Sequence, residues 1–580
     1  MIKKLAKYIG EYKKATILTP IYMIGEVLME VLIPLVMAAI IDNGLNGNNG
    51  QGDLGYVVKV GSLMFLMAVA SLFFGTMSGF KGAEASAGFA KNLRQAIYNK
   101  IQTFSFSNID KFSTSSLVTR LTTDVTTIQN AFQMVIRMAV RSPMMMIFSF
   151  IMAYRISNSL SLVFLVAVPF LAIAIGAIMV STFPKFRLMF EKYDVLNRVV
   201  QENVGAIRVV KAYTREDHEV EKFHNAADDI YKTSVAAEKI IALNSPVMMF
   251  SMYACILAIC WFASTQIVHG DLSTGEFMSL LTYIMSILSS LMMLSIFFLM
   301  IVMSQASGKR ICEVLDEVPD LANPGSPVMS VKDGSIEFDN VSFSYYKNKK
   351  KLHLQNTSIK IESGKTVGIL GGTGSGKTTF VSLIPRLYDV TSGSVKVGGV
   401  DVREYDIETL RNSVAMVLQN NVLFSGSISD NIRWGDEEAS QEEIEKMCQL
   451  ACADEFVKER EDGYNTELGQ GGVNVSGGQK QRLCIARALI KKPKILILDD
   501  STSAVDMNTD ARIRKSFKEE IPNTTKLIIA QRISSVQDAD MIIVMDNGSI
   551  SAVGTHEELL KTSPIYKETF ETQTKAKEAE

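Results

Sequence analysis

The segment GGTGSGKTT, residues 371 to 379, follows the β-branched run KTVGIL and can open a helix. From Gly371 to Thr378 it fits the spacing G-x-x-x-x-G-K-[ST] of a phosphate-binding loop, with the strand before and helix after that such a loop requires. Glycines let successive backbone N–H groups curl around phosphate, and the helix N-terminus adds its dipole. The cofactor-binding stretch is therefore expected at Gly371, Gly372, Thr373, Gly374, Ser375, Gly376, Lys377, Thr378 and Thr379. Lys377 is expected to reach the β- and γ-phosphates of ATP, and the Thr378 hydroxyl to ligate Mg²⁺. A second element, ILILDD from Ile495 to Asp500, reads as a buried strand ending in acid, and Asp499 is expected to hold Mg²⁺ through water. A nucleotide-hydrolysing site of this layout is expected to end the run in Asp-Glu, yet Asp500 stands there. Farther on, IIAQRIS puts Gln531 where such a site would carry histidine.

These two residues weaken the chemistry in different ways. Asp500 keeps a carboxylate but is shorter than glutamate by one C–C bond, about 1.5 Å. A misplacement of about 1 Å can cost roughly a hundredfold in rate, equivalent to about 2.7 kcal/mol of barrier. Gln531 can donate a hydrogen bond to phosphate but cannot carry positive charge or shuttle a proton. The pocket reads as built to hold ATP and poorly equipped to cleave it. The competing reading is neutral variation that leaves hydrolysis intact.

The elements that must position this pocket occupy half the chain. The 580 residues exceed one ordinary domain. The net charge of -2 gives no basic field for nucleic acid. With 47% hydrophobic and 21% charged residues, the composition fits an apolar half joined to a polar one. The division is expected at 1–320 and 321–580. None of the six cysteines has zinc-site spacing, and disulfides are not expected in a membrane and cytosolic chain.

Six apolar stretches long enough to span a bilayer precede about residue 303: Ala15 to Ile41, Leu54 to Phe80, Val135 to Ala153, Leu160 to Phe183, Ile241 to Val268 and Phe277 to Met303. The first is too long, and too far from a small-residue cleavage site, for a signal peptide. The connections after the first, third and fifth spans are short. The first of them, DNGLNGNNGQGD, lacks Lys and Arg, and Gly47 within it is expected to be accessible from outside. Lys81 to Met134 and Pro184 to Lys239 are long, helical in periodicity and rich in Lys and Arg. The positive-inside rule places them, both termini and the polar half in the cytosol. No targeting presequence is evident, so a bacterial cell membrane is the simplest placement. Glu26 and Glu30, like Arg137 and Arg141, stand one turn apart inside spans, and such charges pair or line a cavity. Met144 to Met146, Met248 and Met249, and Met292 and Met293 could form an adaptable wall for apolar cargo or simply face lipid. The run Lys347 to Lys351 reads as a solvated turn, His556 as a local helix cap or packing residue, and the tail KAKEAE as frayed.

A third polar element, VNVSGGQKQRLCIARAL, makes the resemblance specific: the chain resembles an ABC transporter half, a membrane domain fused to a nucleotide-binding domain. Ser476, Gly477, Gly478 and Gln479 match the family signature, with Val475 in the usual leucine place. The resemblance implies that Tyr345 stacks on adenine, that Gln419 touches Mg²⁺ and senses the membrane domain, and that Ser503 to Asp506 form the D-loop. It implies an exporter-type architecture: six transmembrane helices with long cytosolic extensions, plus an α/β P-loop ATPase domain. Coupling helices are then expected near Asn108 to Ser113 and Ala212 to Glu216. Such chains pair head to tail, sandwiching ATP between one P-loop and the other signature, whose backbone N–H groups form an anion nest.

The departures from the family are Asp500 for the catalytic glutamate, Gln531 for the switch histidine, and Gln470 for a usual glutamate ahead of the signature. They imply a heterodimeric exporter of hydrophobic or amphipathic cargo. This chain would lend its intact signature to a second, non-identical half carrying glutamate and histidine at the catalytic positions. An ATP-gated channel or regulatory subunit, and an importer on the same fold, are the alternatives.

Overall fold

The computed structural model describes residues 1–46, 52–346, 351–501 and 503–578. Gly47 and the first four residues of the Lys347–Lys351 run lie outside the described residues. The chain divides into two compact units, one of Met1–Gln102 with Thr114–Glu317 and one of Thr103–Ser113 with Val318–Glu580.

The first unit is helical. Among the described residues it holds six helices long and apolar enough to cross a membrane. Apolarity stops at Phe80, but the second helix, Leu54–Gln102, runs on for 49 residues in all. At about 1.5 Å per residue that is more than twice a hydrocarbon core of about 30 Å. The fourth, Asn158–Gly205, and sixth, Thr274–Asp316, are similarly long. Val27 and Val31 of the first helix, Lys13–Ala39, share a core with Phe164, Ile259 and Ile284. Tyr283 Oη donates to Val31 O at 2.8 Å, and Ser279 Oγ to Pro34 O at 2.7 Å, tying the last helix to the first. The intramembrane charges pair: Arg141 donates to Glu26 Oε1 at 2.6 Å and to Glu30 Oε1 at 2.8 Å. Arg137 does not join them; its Nε is buried without a hydrogen-bond partner among the described residues.

The two short cross-helices lie slightly N-terminal to their expected positions. In the first unit Ile207–Ala212 forms one. In the second unit Phe106–Lys111 forms the other. The latter starts where it does because Ser105 caps it, with Asn108 closing the box.

The second unit is built on a six-stranded sheet. Its order across the sheet is Ser549–Gly554, Met541–Asp546, Thr366–Gly371, Thr525–Ile529, Ile495–Asp499 and Val414–Val417. All neighbours are parallel except the first pair, an antiparallel hairpin. Ile495–Asp499 and Thr525–Ile529 are buried throughout, which explains the apolar runs Ile495 to Leu498 and Leu527 to Ile529. A second, antiparallel sheet includes Ile336–Phe343 and Leu354–Ile361. Phe338 from it stacks on Phe380 at 4.2 Å, closing the core over the P-loop helix. Parallel pairing has a chemical consequence: the C-terminal ends of five strands meet at one edge, where such sheets bind ligands. Gly371, Asp499, Gln531 and Gln419 all stand at or just beyond that edge. The C-terminal helix, Pro564–Glu578, continues through most of the tail expected to fray.

Candidate functional site

The loop after Thr366–Gly371 has the backbone that phosphate binding needs. Gly371, Gly374 and Gly376 have φ of 154°, 81° and 96°. A Cβ on Gly371 would meet Met545 O at 2.3 Å, so glycine is demanded there by space as well as by φ. Gly376 caps the helix Lys377–Ser382, which points its N-terminus into the loop. Lys377 Nζ donates to the carbonyls of Gly371 and Gly372, each at 2.9 Å. Burial lowers the Lys377 pKa, opposed by the nearby Asp499 and Asp500 carboxylates. The loop lines a cavity of about 500 Å³ together with His353, Gln355, Asn547 and Gly548.

Thr378 Oγ1 donates to Asp499 Oδ1 at 3.1 Å. Asp499 Oδ2 is buried with no hydrogen-bond partner among the described residues. A buried acceptor beside a threonine hydroxyl, at the mouth of a phosphate loop, fits Mg²⁺ or its bound water. Burial raises the Asp499 pKa above the ordinary carboxylate value. Gln419 follows two residues after its strand and is exposed; it does not hydrogen-bond this free oxygen.

Asp500 turns away from its strand in the left-handed region, with φ of 49°. Aspartate tolerates that conformation better than most residues. Its carboxylate is taken by Gln531: Nε2 donates to Asp500 Oδ2 at 2.9 Å. Burial pushes the Asp500 pKa up, and the Gln531 bond opposes the shift. The two residues that depart from the expected pattern are therefore direct partners, which their 31-residue separation concealed.

Tyr345 packs by its edges. Its hydroxyl lies 3.0 Å from Thr379 Oγ1, and it meets Phe343, His353 and Tyr388 in edge-to-face contacts at 4.8, 4.9 and 5.1 Å. Tyr346, passed over in the sequence, is much more exposed, at 71% against 37%. Tyr388 was missed as well. Its hydroxyl donates to Asp110 of the short helix Phe106–Lys111 at 2.7 Å. No spacing rule could have found that contact, which spans 278 residues.

The signature is organised separately. Ser476 caps the helix Gly477–Leu489; Gln479 N donates to its Oγ at 3.3 Å, and Ser476 N donates to Gln479 Oε1 at 3.0 Å. A Cβ on Gly478 would meet Ala504 O at 2.7 Å, whereas Gly477 has room. The Gln481 side chain fixes the neighbouring loop, accepting from Ala504 N at 3.1 Å and donating to Ser503 Oγ at 3.3 Å. Gln470 is exposed in the turn before the signature.

The sequence profile of the ABC transporter transmembrane region matches residues 16–292, and the ABC transporter profile matches residues 354–503. An uncharacterized ABC transporter ATP-binding protein of Bacillus subtilis, YfiB, is 37% identical over 99% of this chain and 98% of its own length. An ATP-dependent lipid A-core flippase of Desulfotalea psychrophila is 32% identical over 82% of this chain and 83% of its own. Among solved structures, a bacterial Atm1-family ABC exporter with ATP bound shares the fold. It has a TM-score of 0.83 at 22% identity, covering 97% of this chain and 99% of that one.

Proposed function

The chain belongs to the ABC transporter family, and from that premise we propose that it is the degenerate-site half of a heterodimeric exporter. Membership makes it an ATP-binding, multi-pass membrane protein whose transport is coupled to ATP hydrolysis. The proposal concerns how the work is divided. This chain holds ATP on residues 371–379, with Tyr345 on the base side, and hydrolyses it slowly. It lends Ser476, Gly477, Gly478 and Gln479 to a partner half that carries glutamate and histidine.

The observation that carries this reading is the bond between Gln531 and Asp500. A general base must reach the attacking water. Here the shorter carboxylate is engaged by a neutral amide that brings no positive charge to the γ-phosphate. Thr378 and Asp499 would hold Mg²⁺, which when bound neutralises phosphate charge. Lys377 binds the phosphates, and the Gly376-capped helix orients them. Closure of the ATP-bridged dimer would pull on the cross-helices and alternate the membrane cavity between inward- and outward-facing forms. The long basic connections favour a cytosolic N-terminus and ATPase unit in a bacterial cell membrane. A hydrophobic or amphipathic cargo suits the apolar helices, and the similarity to a lipid A-core flippase supports it.

Purification of this chain alone is the direct test. Slow basal hydrolysis is expected, rising when the partner half is added. A stable homodimer with brisk, cargo-stimulated ATPase activity would falsify the division of labour.

A further inference from the structure

The loop carrying Gln531 is fixed at both ends. Ala530 N donates to Ile369 O at 3.4 Å, and Ser535 Oγ donates to the buried Asp510 Oδ2 at 3.0 Å. Between these points one side chain meets the backbone twice. Gln573 Nε2 donates to Gln531 O at 2.8 Å, and Ile533 N donates to Gln573 Oε1 at 2.9 Å. Gln573 stands on the C-terminal helix, beyond the segment matched by the ATPase profile. That helix is firmly seated. Tyr566 is buried, with its hydroxyl 2.6 Å from His556 Nδ1, and Phe570 packs edge-on against the same imidazole at 5.2 Å.

We propose that Gln573 is a positioning residue for the γ-phosphate side of this chain's ATP pocket. A carboxamide offers one donor and one acceptor side by side, and here both are used on residues flanking Arg532. The clamp fixes the backbone of Gln531, and so the direction in which its exposed side chain leaves the loop. With the clamp in place that side chain meets Asp500 at 2.9 Å. Without it, nothing between Ala530 and Ile533 holds the Gln531 carbonyl among the described residues, and the amide loses its fixed approach to a γ-phosphate. The C-terminal helix thus belongs to the nucleotide site, although it supplies no atom to the nucleotide. This inference rests on reading Gln531 as the switch position.

The test uses the full-length chain with two variants. Gln573→Ala removes both bonds. Gln573→Glu keeps the side-chain length and the acceptor for Ile533 N, but sets a carboxylate against the Gln531 carbonyl. A fluorescent ATP and the matching ADP report the pocket, and hydrogen exchange reports the loop. ATP should bind about two- to tenfold more weakly in both variants, the range expected for losing the one hydrogen bond from Gln531 to the γ-phosphate. ADP, which lacks the γ-phosphate, should bind as before. Exchange should quicken over residues 530–536 and stay unchanged in the helix Gly477–Leu489. Equal weakening of ATP and ADP would mean a merely structural helix and overturn the proposal, as would unchanged exchange in the loop. Rapid turnover at this pocket would instead sink the degenerate-site reading and leave the exchange result standing.

Discussion

On the proposed reading the ATPase unit presents two phosphate-facing surfaces, and they are specified by different means. The signature is set by backbone. Ser476 and Gln479 close a capping box, and Gly478 lies so close to Ala504 O that no larger residue fits without a shift. The chain's own γ-phosphate pocket is set by side-chain reach. Its loop and strands are in place and Thr378 bonds Asp499, yet Asp500 and Gln531 bond each other. A pocket of the second kind can lose its chemistry with no loss of fold, because exchanging one side chain for a shorter or neutral one leaves every strand pairing intact. A surface of the first kind loses shape and chemistry together.

The largest effect should therefore come from the signature. Ser476→Arg or Gly477→Asp places a bulky or like-charged group where the partner's γ-phosphate must dock. Removing one preorganised anion-stabilising donor costs roughly a hundred- to a thousandfold in comparable sites. ATP hydrolysis by the assembled complex should fall by about that factor, while ATP still binds to Lys377 and its loop. A complex that keeps its turnover with either variant would mean that this signature serves no competent site.

Lys377→Ala should act on the other surface and less severely. A hydrogen bond to a charged group contributes about 1.5–3 kcal/mol, so ATP should bind this chain's pocket about ten- to a hundredfold more weakly. Hydrolysis in the complex should drop only severalfold, through poorer dimer closure. If the variant abolishes turnover as completely as the matching change in the partner, the two surfaces are equal and the comparison collapses.

The contrast also explains what the sequence could and could not tell. The P-loop, the acidic strand and the signature are local patterns: a few residues fix glycine conformations, strand burial or a helix cap, and each stands where its spacing placed it. The six spans were legible from apolar length, but the continuations of two of these helices to Gln102 and Gly205 ended past the apolar signal. The contacts that finish the site are non-local. Gln531 with Asp500, Tyr388 with Asp110, and Gln573 with Gln531 are each separated by tens to hundreds of residues. No periodicity links them, and only the folding of the unit brings them together. Glu26 and Glu30 with Arg141 fall between these cases. Their helical spacing was visible, and the choice of Arg141 over Arg137 was not.

A milder test concerns Mg²⁺ at the same sheet edge. Burial raises the Asp499 pKa, so its ionised form is harder to reach than that of an ordinary aspartate. Protons then compete with Mg²⁺ at a higher pH than they would at an exposed carboxylate. Mg²⁺ affinity of the ATP-loaded chain should decline as pH falls toward the acid range. Asp499→Asn, which cannot titrate there, should bind more weakly throughout and keep only the pH dependence of the ATP phosphates. Parallel profiles for the two proteins, measured by metal titration, would remove Asp499 from the Mg²⁺ site.

The smallest change expected is for Asp500→Glu alone. The added methylene restores about 1.5 Å of reach, but the longer carboxylate must leave its bond with Gln531, and the neutral amide still faces the γ-phosphate. Turnover at this pocket should rise only a few fold, well short of the roughly hundredfold that full repositioning could return. Gln531→His alone should do little, since Asp500 would remain too short for the water it must activate. Together they should exceed the sum of the single effects, because both act on one phosphate and touch each other directly. Coupling energies for residues in contact run about 0.5–3 kcal/mol. The measurement is single-site turnover in a complex whose partner pocket is disabled. A double variant as slow as the parent would place the limit outside this chain, in the signature that the partner brings to Asp500, and the two surfaces would then have to be compared across the dimer.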